Sequence, residues 1–530
     1  MPDNHGLILR VFNSKVEIVT DDEGLRKKAK KLLNIYWSDP RDKTKLMSVY
    51  LGRGNFFPIG FLDEFQKKAK KKNIEFSIES HIVSTARRHN FVFKSPVEPM
   101  DHQRAALEAC KLHSTGIISS PTASGKSLMM GLITAEKSTT TLILTPSESI
   151  REGLAIQFRE WFGSKTVSTT VPTKPYVPQR RSEGFEGNDN LEPDPDPFAF
   201  IFKAKPVTLN KFEKFKIQRE KSILKKLESG KWFKPITILC WQSLRQLPKE
   251  YVKAVGCILI DECHTASAKD IRDLLFEADA AEFRYGLSAT PWRDQPHLLK
   301  LMQSAIGSSI IFDYKPEDAI EDEIIAKPNL NIIQADFPTK FMKNVKDYRS
   351  IIDYGVIRNI ARNRQIVKKA IELYDDNHQV FVAIDEIGHF QGKENESGII
   401  EDNDYCLKRL FEESGQKVIF ISGNDSTAEK NRKISELKES SVGFILVGTM
   451  AVGIGTDIPG IDKVIFASTG KSSIRFIQRI GRGMRTDGDN SKVLEVFDFM
   501  DRWNPYAKKY SIERIKTFSK YFKGCKVYGF

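Results

Sequence analysis

Short apolar runs that end in polar turns recur along most of this chain, and they fall into two series. Between about residues 91 and 310 the runs GIISS, TLILTP, ITILCW, CILIDE and RYGLSAT alternate with stretches of helical periodicity. A strand covered on both faces loses the polar/apolar alternation, so these runs predict buried parallel strands. QVFVAI, KVIFISG, GFILVGT, KVIFAS and LEVFDF repeat the pattern from about 330 to 500. Two such units, joined near residues 310–345, predict two α/β lobes with a cleft between them.

Outside these series the pattern changes. Residues 1 to about 90 read as a small α+β unit, with strand-like LILRVF and KVEIVT, a basic helix in GLRKKAKKLL, then VYLGRG and a second helix in FLDEFQKKAKKKN. Both helices end in cations, and Lys67, Lys68, Lys70, Lys71 and Lys72 crowd the second. Such an end suits the helix dipole as a solvated face, or it offers a surface to phosphates; both readings stand. At about 164–235 the first lobe is interrupted. VPTKPYVPQRRSEGFEGNDNLEPDPDPF reads as an exposed loop and LNKFEKFKIQREKSILKKLESGK as a lysine-rich helix. IGHFQGKENESGIIEDNDY, at about 388–407, reads as a second insertion, and SIERIKTFSKYFKGCKVYGF as a basic helical tail that packs onto the second lobe. The expected division is a basic DNA-binding unit at 1–90, lobes at 91–320 and 321–500, and a tail at 501–530.

Composition narrows the partners. A chain of 530 residues exceeds one ordinary core, and 82 Lys+Arg against 69 Asp+Glu, formal charge +13, favours a polyanion. With 40% hydrophobic and 28% charged residues, the composition argues against wholesale disorder. The start lacks a basic n-region and long apolar h-region, and no apolar run is long enough for a bilayer span, so an intracellular protein without a membrane partner is expected. Cys110, Cys240, Cys257, Cys263, Cys406 and Cys525 are scattered without a CxxC pair, which suggests neither a disulfide framework nor a zinc knuckle.

The chemistry concentrates at three places. ISSPTASGKSLMM runs from an apolar strand through small residues to Gly125-Lys126-Ser127 at a helix start, the pattern of a phosphate-binding loop. Amides there are expected to cradle phosphate, with Lys126 neutralising its β/γ oxygens and Ser127 able to ligate Mg2+. Ser120 stands where the strict pattern has glycine. CILIDECH delivers Asp261, as a magnesium ligand, and Glu262, to orient and deprotonate water, to the carboxyl end of a strand. In QRIGRGMR, Arg482 and Arg485 lie three apart and share one helix face as arginine fingers, and Gln478 opens the segment.

PTASGKS, DECH, GLSATPWR, VGIGTDIPG and QRIGRGMR, in that order between about 100 and 490, resemble motifs I, II, III, V and VI of the superfamily-two helicases. The resemblance implies an α/β fold of two RecA-like parallel-sheet lobes, with the N-terminal α+β domain and helical tail added. It implies a nucleotide held by Pro121, Thr122, Ala123, Ser124, Gly125, Lys126 and Ser127. DHQRAAL is similar to the glutamine element upstream, which puts Gln103 on adenine. LILTPSESI and LCWQSL resemble the motifs that touch the nucleic-acid backbone. Ser288 and Thr290 are implied to couple hydrolysis to lobe movement, and Gly455 and Asp457 to sense nucleotide across the cleft. Within the superfamily the chain resembles the branched-DNA helicases of T4-like bacteriophages, which implies ATP-dependent remodelling of forks, recombination junctions and R-loops in phage replication, recombination and repair, with an unidentified protein partner. A restriction-system motor subunit, an RNA helicase and a non-catalytic nucleic-acid-binding protein are the alternatives.

Overall fold

A computed structural model of the chain describes residues 6–38, 46–169, 234–291, 295–335, 340–392, 404–439, 443–449, 460–467, 476–477, 480–481, 483–484 and 492–529. The two apolar series become two seven-stranded parallel sheets. The first runs Ile310–Asp313, Thr115–Ser119, Phe283–Ser288, Cys257–Asp261, Thr141–Thr145, Ile236–Cys240, Val167–Ser168. Its central members are buried at nearly every position because apolar clusters cover both faces, one around Phe158 and Trp161 and one around Tyr251 and Leu275. The second runs Ile419–Ile421, Phe444–Gly448, Gln379–Ala383, Lys463–Phe466, Val493–Asp501, Lys327–Ala335, Val527–Tyr528. These are the two RecA-like lobes.

The tail is built into the second lobe. Asn504 caps the helix Pro505–Tyr521 by accepting the amides of Tyr506 and Ala507. Arg514 on that helix donates to both carboxylate oxygens of Asp498 at 2.7 and 3.2 Å, in a pair almost wholly removed from water. The chain then turns back, and Val527–Tyr528 pairs with Lys327–Ala335.

In the N-terminal unit the sheet order is Phe56–Pro58, Lys15–Val19, Leu7–Val11, Phe76–Ser80, and only the last pair is parallel. Alternate residues of its two central strands, Leu7, Leu9 and Val11 with Val16 and Ile18, enter the core. Two helices supply the other half, Glu23–Lys31 through Ala29 and Leu62–Lys71 through Phe65 and Ala69. Asp22 starts the first by accepting the amides of Gly24 and Leu25. The five lysines of the second helix region are not equivalent. Lys67, Lys70, Lys71 and Lys72 are exposed, whereas Lys68 lies on the Phe65/Ala69 side and donates to the carbonyls of Leu32 and Asn34, both at 3.0 Å.

This unit is fastened to the first lobe. Lys15 and Ser14 meet Asp279 at 2.9 and 3.0 Å, Lys300 meets Glu64 at 3.0 Å, and Arg53 pairs with Asp273 while its guanidinium covers Phe276. Trp37 stacks on His297 with ring centroids 4.1 Å apart, and Leu301 is buried in the N-terminal core. Backbones touch as well: a Cβ on Gly60 would stand 2.4 Å from the carbonyl oxygen of Gln303. The lysine-rich helix expected within the first insertion, most of that insertion, and residues 393–403 of the second lie outside the described residues.

Candidate nucleotide site

Three neighbouring strands, Thr115–Ser119, Phe283–Ser288 and Cys257–Asp261, end together at the carboxyl edge of the first sheet, where open α/β sheets hold ligands. The first continues into the phosphate loop and the helix Lys126–Lys137. Ala123 and Gly125 take φ of +68° and +78°. Ser120 does not, so the glycine missing there is not required by the backbone. Ser120 instead braces the loop: its hydroxyl meets that of Ser124 at 2.5 Å, and its carbonyl accepts from Lys126 at 3.2 Å. Lys126 also donates to the carbonyl of Pro121 at 2.8 Å. Burial pushes the Lys126 ammonium below its usual range, while Glu262 and Asp261 act in the opposite direction.

The loop crest is held from behind. His102 and Gln103, on the helix Asp101–Leu112, both reach the carbonyl of Ser124, at 2.9 and 3.2 Å. His102 stacks on Tyr314, whose hydroxyl donates to Asp322. The Gln103 carboxamide oxygen accepts the amide of Met100 at 3.0 Å. These two contacts, to Ser124 and Met100, use one N–H and one lone pair of that carboxamide.

Across from the loop, Asp261 accepts the amide of Glu262 at 3.0 Å. Burial and the adjacent Glu262 carboxylate push the Asp261 carboxyl up to about 7. Glu262 takes the left-handed conformation, φ +49°, a backbone cost of ~1–3 kcal/mol that places its side chain. Its Oε2 accepts from Ser288 at 2.9 Å and lies 3.3 Å from Nδ1 of His264. Burial opposes ionisation of Glu262, but the His264 contact, Lys126 and Ser288 together hold its carboxyl below the usual range. The Ser288 hydroxyl accepts the amide of Thr290 at 3.1 Å, and the carbonyl of Ala289 accepts from Tyr521 at 3.0 Å.

The second lobe reaches the loop through Gly481. Ile480 and Met484 enter the core of that lobe and Gly483 lies against Leu494, while Gly481 turns to Thr122 so closely that a Cβ would stand 1.6 Å from its hydroxyl oxygen. Gly455, Asp457, Gln478, Arg482 and Arg485 lie outside the described residues.

A model of the helicase conserved C-terminal domain matches residues 366–487, and one described as the type III restriction enzyme res subunit matches residues 96–293. The chain belongs to the superfamily-two helicases. The chain is 25% identical over 269 residues to the ATP-dependent DNA helicase uvsW of Enterobacteria phage T4, 50% of each chain. To the putative helicase 22 of a Sulfolobus islandicus filamentous virus it is 28% identical over 261 residues, 47% of this chain and 43% of the other. The chain thus spans about half the length of the curated relatives it matches. Among solved structures, a fragment of a putative HsdR subunit of a type I restriction enzyme from Vibrio vulnificus shares its fold, with TM-score 0.51, 16% identity, and 96% and 81% of the two chains covered.

Two contacts of the site had no signal in the sequence. His264 is legible only as a letter of DECH, and Tyr521 lies 232 residues from its partner Ala289.

Proposed function

We propose that this chain is an ATP-driven motor that moves on nucleic acid, with DNA, in branched or forked form, as its substrate. The observation that carries the reading is the juxtaposition of Lys126, Asp261 and Glu262 in one cleft whose far wall, at Gly481, belongs to the second lobe. Bound nucleotide in such a cleft joins the lobes, and its loss lets them part. The match to a phage DNA helicase and the excess of cations support DNA.

The residues present fit ATP with Mg2+. The first amides of the helix Lys126–Lys137 have no intrahelical acceptors, and a buried carboxylate at a strand end is a hard oxygen donor. Pro121, Thr122, Ala123, Ser124, Gly125 and Lys126 would enclose the phosphates, and Ser127 and Asp261 would hold the ion, which supplies charge neutralisation. Glu262, oriented by Ser288 and His264, takes the proton of the attacking water. Gln103 offers its remaining donor and acceptor to the base. Gly455, Asp457 and Gln478 are assigned to the nucleotide, and Arg482 and Arg485 to the developing charge on the phosphoryl group. The division at about 90, 320 and 500 belongs to the same reading.

ATP hydrolysis measured with single-stranded, duplex and forked DNA and with RNA tests it. Hydrolysis stimulated most by forked DNA and abolished in Lys126→Ala, which still binds DNA, is the expected result. Stimulation by RNA alone overturns the substrate, and wild-type turnover in Lys126→Ala overturns the site.

A further inference from the structure

The C-terminal helix Pro505–Tyr521 is rooted in the second lobe, yet its last residue hydrogen-bonds to the first. Its root is firm: Arg514 closes the buried pair with Asp498, and Phe518 and Phe522 enter the core of the second lobe. At the helix end, the Tyr521 hydroxyl donates to the carbonyl of Ala289 at 3.0 Å. Ala289 lies between Ser288, whose hydroxyl donates to Glu262, and Thr290, whose amide donates to that same hydroxyl. A displacement of the helix end therefore pulls on the short segment that aims the Glu262 carboxylate.

We propose that Tyr521 is a positioning residue that ties the C-terminal helix of the second lobe to the segment Ser288–Thr290, so that nucleic acid seated on the two lobes raises hydrolysis by setting the orientation of Glu262. The inference rests on the motor reading above and goes beyond it. The resemblance implies coupling through Ser288 and Thr290 in the first lobe and Gly455 and Asp457 in the second; this contact adds a path through the tail. The tail's neighbourhood is consistent with such a path. Lys523 meets Glu317 at 3.4 Å on the connection between the lobes, and Tyr521 packs on Phe522 edge to face, so the helix end borders first lobe, connection and second lobe together.

Tyr521→Phe deletes the hydroxyl and keeps the ring. The loss of one net hydrogen bond corresponds to a fall of roughly twofold to tenfold in rate. In the full chain the expected result is a fall of that size in kcat at saturating DNA, with KM for ATP within about twofold and an unchanged thermal midpoint. The ratio of DNA-stimulated to unstimulated turnover should drop with it. A purely structural tyrosine would leave that ratio unmoved. Tyr521→Leu, which also removes the ring, serves as the second variant and should reproduce the lowered ratio. A wild-type ratio in Tyr521→Phe overturns the inference and leaves the motor reading standing. Absence of ATP hydrolysis in the unmodified protein overturns both.

Discussion

Replacing Gly481 by alanine tests whether the two lobes meet over the phosphate loop as described. The added Cβ would stand 1.6 Å from the Thr122 hydroxyl oxygen, 2.5 Å from its Cβ and 2.9 Å from its methyl group. Rotating the Thr122 side chain moves the hydroxyl and the methyl but not the Cβ. Since nonbonded carbons settle at about 3.5 Å, one of the two backbones must retreat by about 1 Å. A misplacement of that size at a reacting centre costs about a hundredfold in rate, or ~2.7 kcal/mol of barrier. The loss should fall on kcat, because most of the residues proposed to hold the nucleotide lie in the first lobe. Steady-state turnover with a separate nucleotide-binding titration reads the two effects apart. Thr122→Gly removes the obstructing carbon, so the double variant should recover at least about tenfold of the loss, a coupling between residues that touch. Wild-type turnover in Gly481→Ala, or no relief in the double variant, would refute the packing.

Three further outcomes are expected. Because burial and the adjacent Glu262 carboxylate push the Asp261 carboxyl up, and a cation requires the ionised carboxylate, Mg2+ affinity should weaken as the pH is lowered from 8 to 6, and Asp261→Asn should remove that dependence; a flat profile in the unmodified protein would contradict the assignment. Arg514→Met leaves Asp498 buried without its cation and should lower the stability of the second lobe by ~3–5 kcal/mol in denaturant unfolding, whereas pairing it with Asp498→Leu should restore most of the loss. Alanine at Lys67, Lys70, Lys71 and Lys72 should reduce the slope of log affinity for DNA against log salt by roughly one for each phosphate that is no longer neutralised, while Lys68→Ala should act on stability, since its ammonium is engaged with Leu32 and Asn34.

The lobes were legible because their inner strands are short apolar runs without polar alternation. TLILT and ITILC are buried throughout, where an amphipathic helix or a half-exposed strand would place polar residues at regular intervals. Strands with mixed composition escaped. Lys327–Ala335 carries Pro, two Asn and Gln, and Ile310–Asp313 is a partly exposed edge. Val527–Tyr528 is two residues long and pairs with a strand about two hundred residues away. At the site, the residues that carry charge in the first lobe were readable from local motifs, because a loop and the helix it starts form one contiguous segment. Their supports were not: Ser288 reaches Glu262, His102 reaches Ser124 and Tyr521 reaches Ala289 across separate segments, and spacing along the chain carries no record of such approaches.

The fastening of the N-terminal unit sets a mechanical constraint. With Arg53, Lys15 and Glu64 paired to the first lobe, Trp37 stacked on it and Leu301 inserted, the unit and that lobe form one jaw. In the motor proposed above, opening and closing of the cleft would move that jaw as one piece. A strand junction resting on the N-terminal unit would face a stationary anvil, with the second lobe as the travelling part, and the length of each step would be fixed by how far that lobe swings.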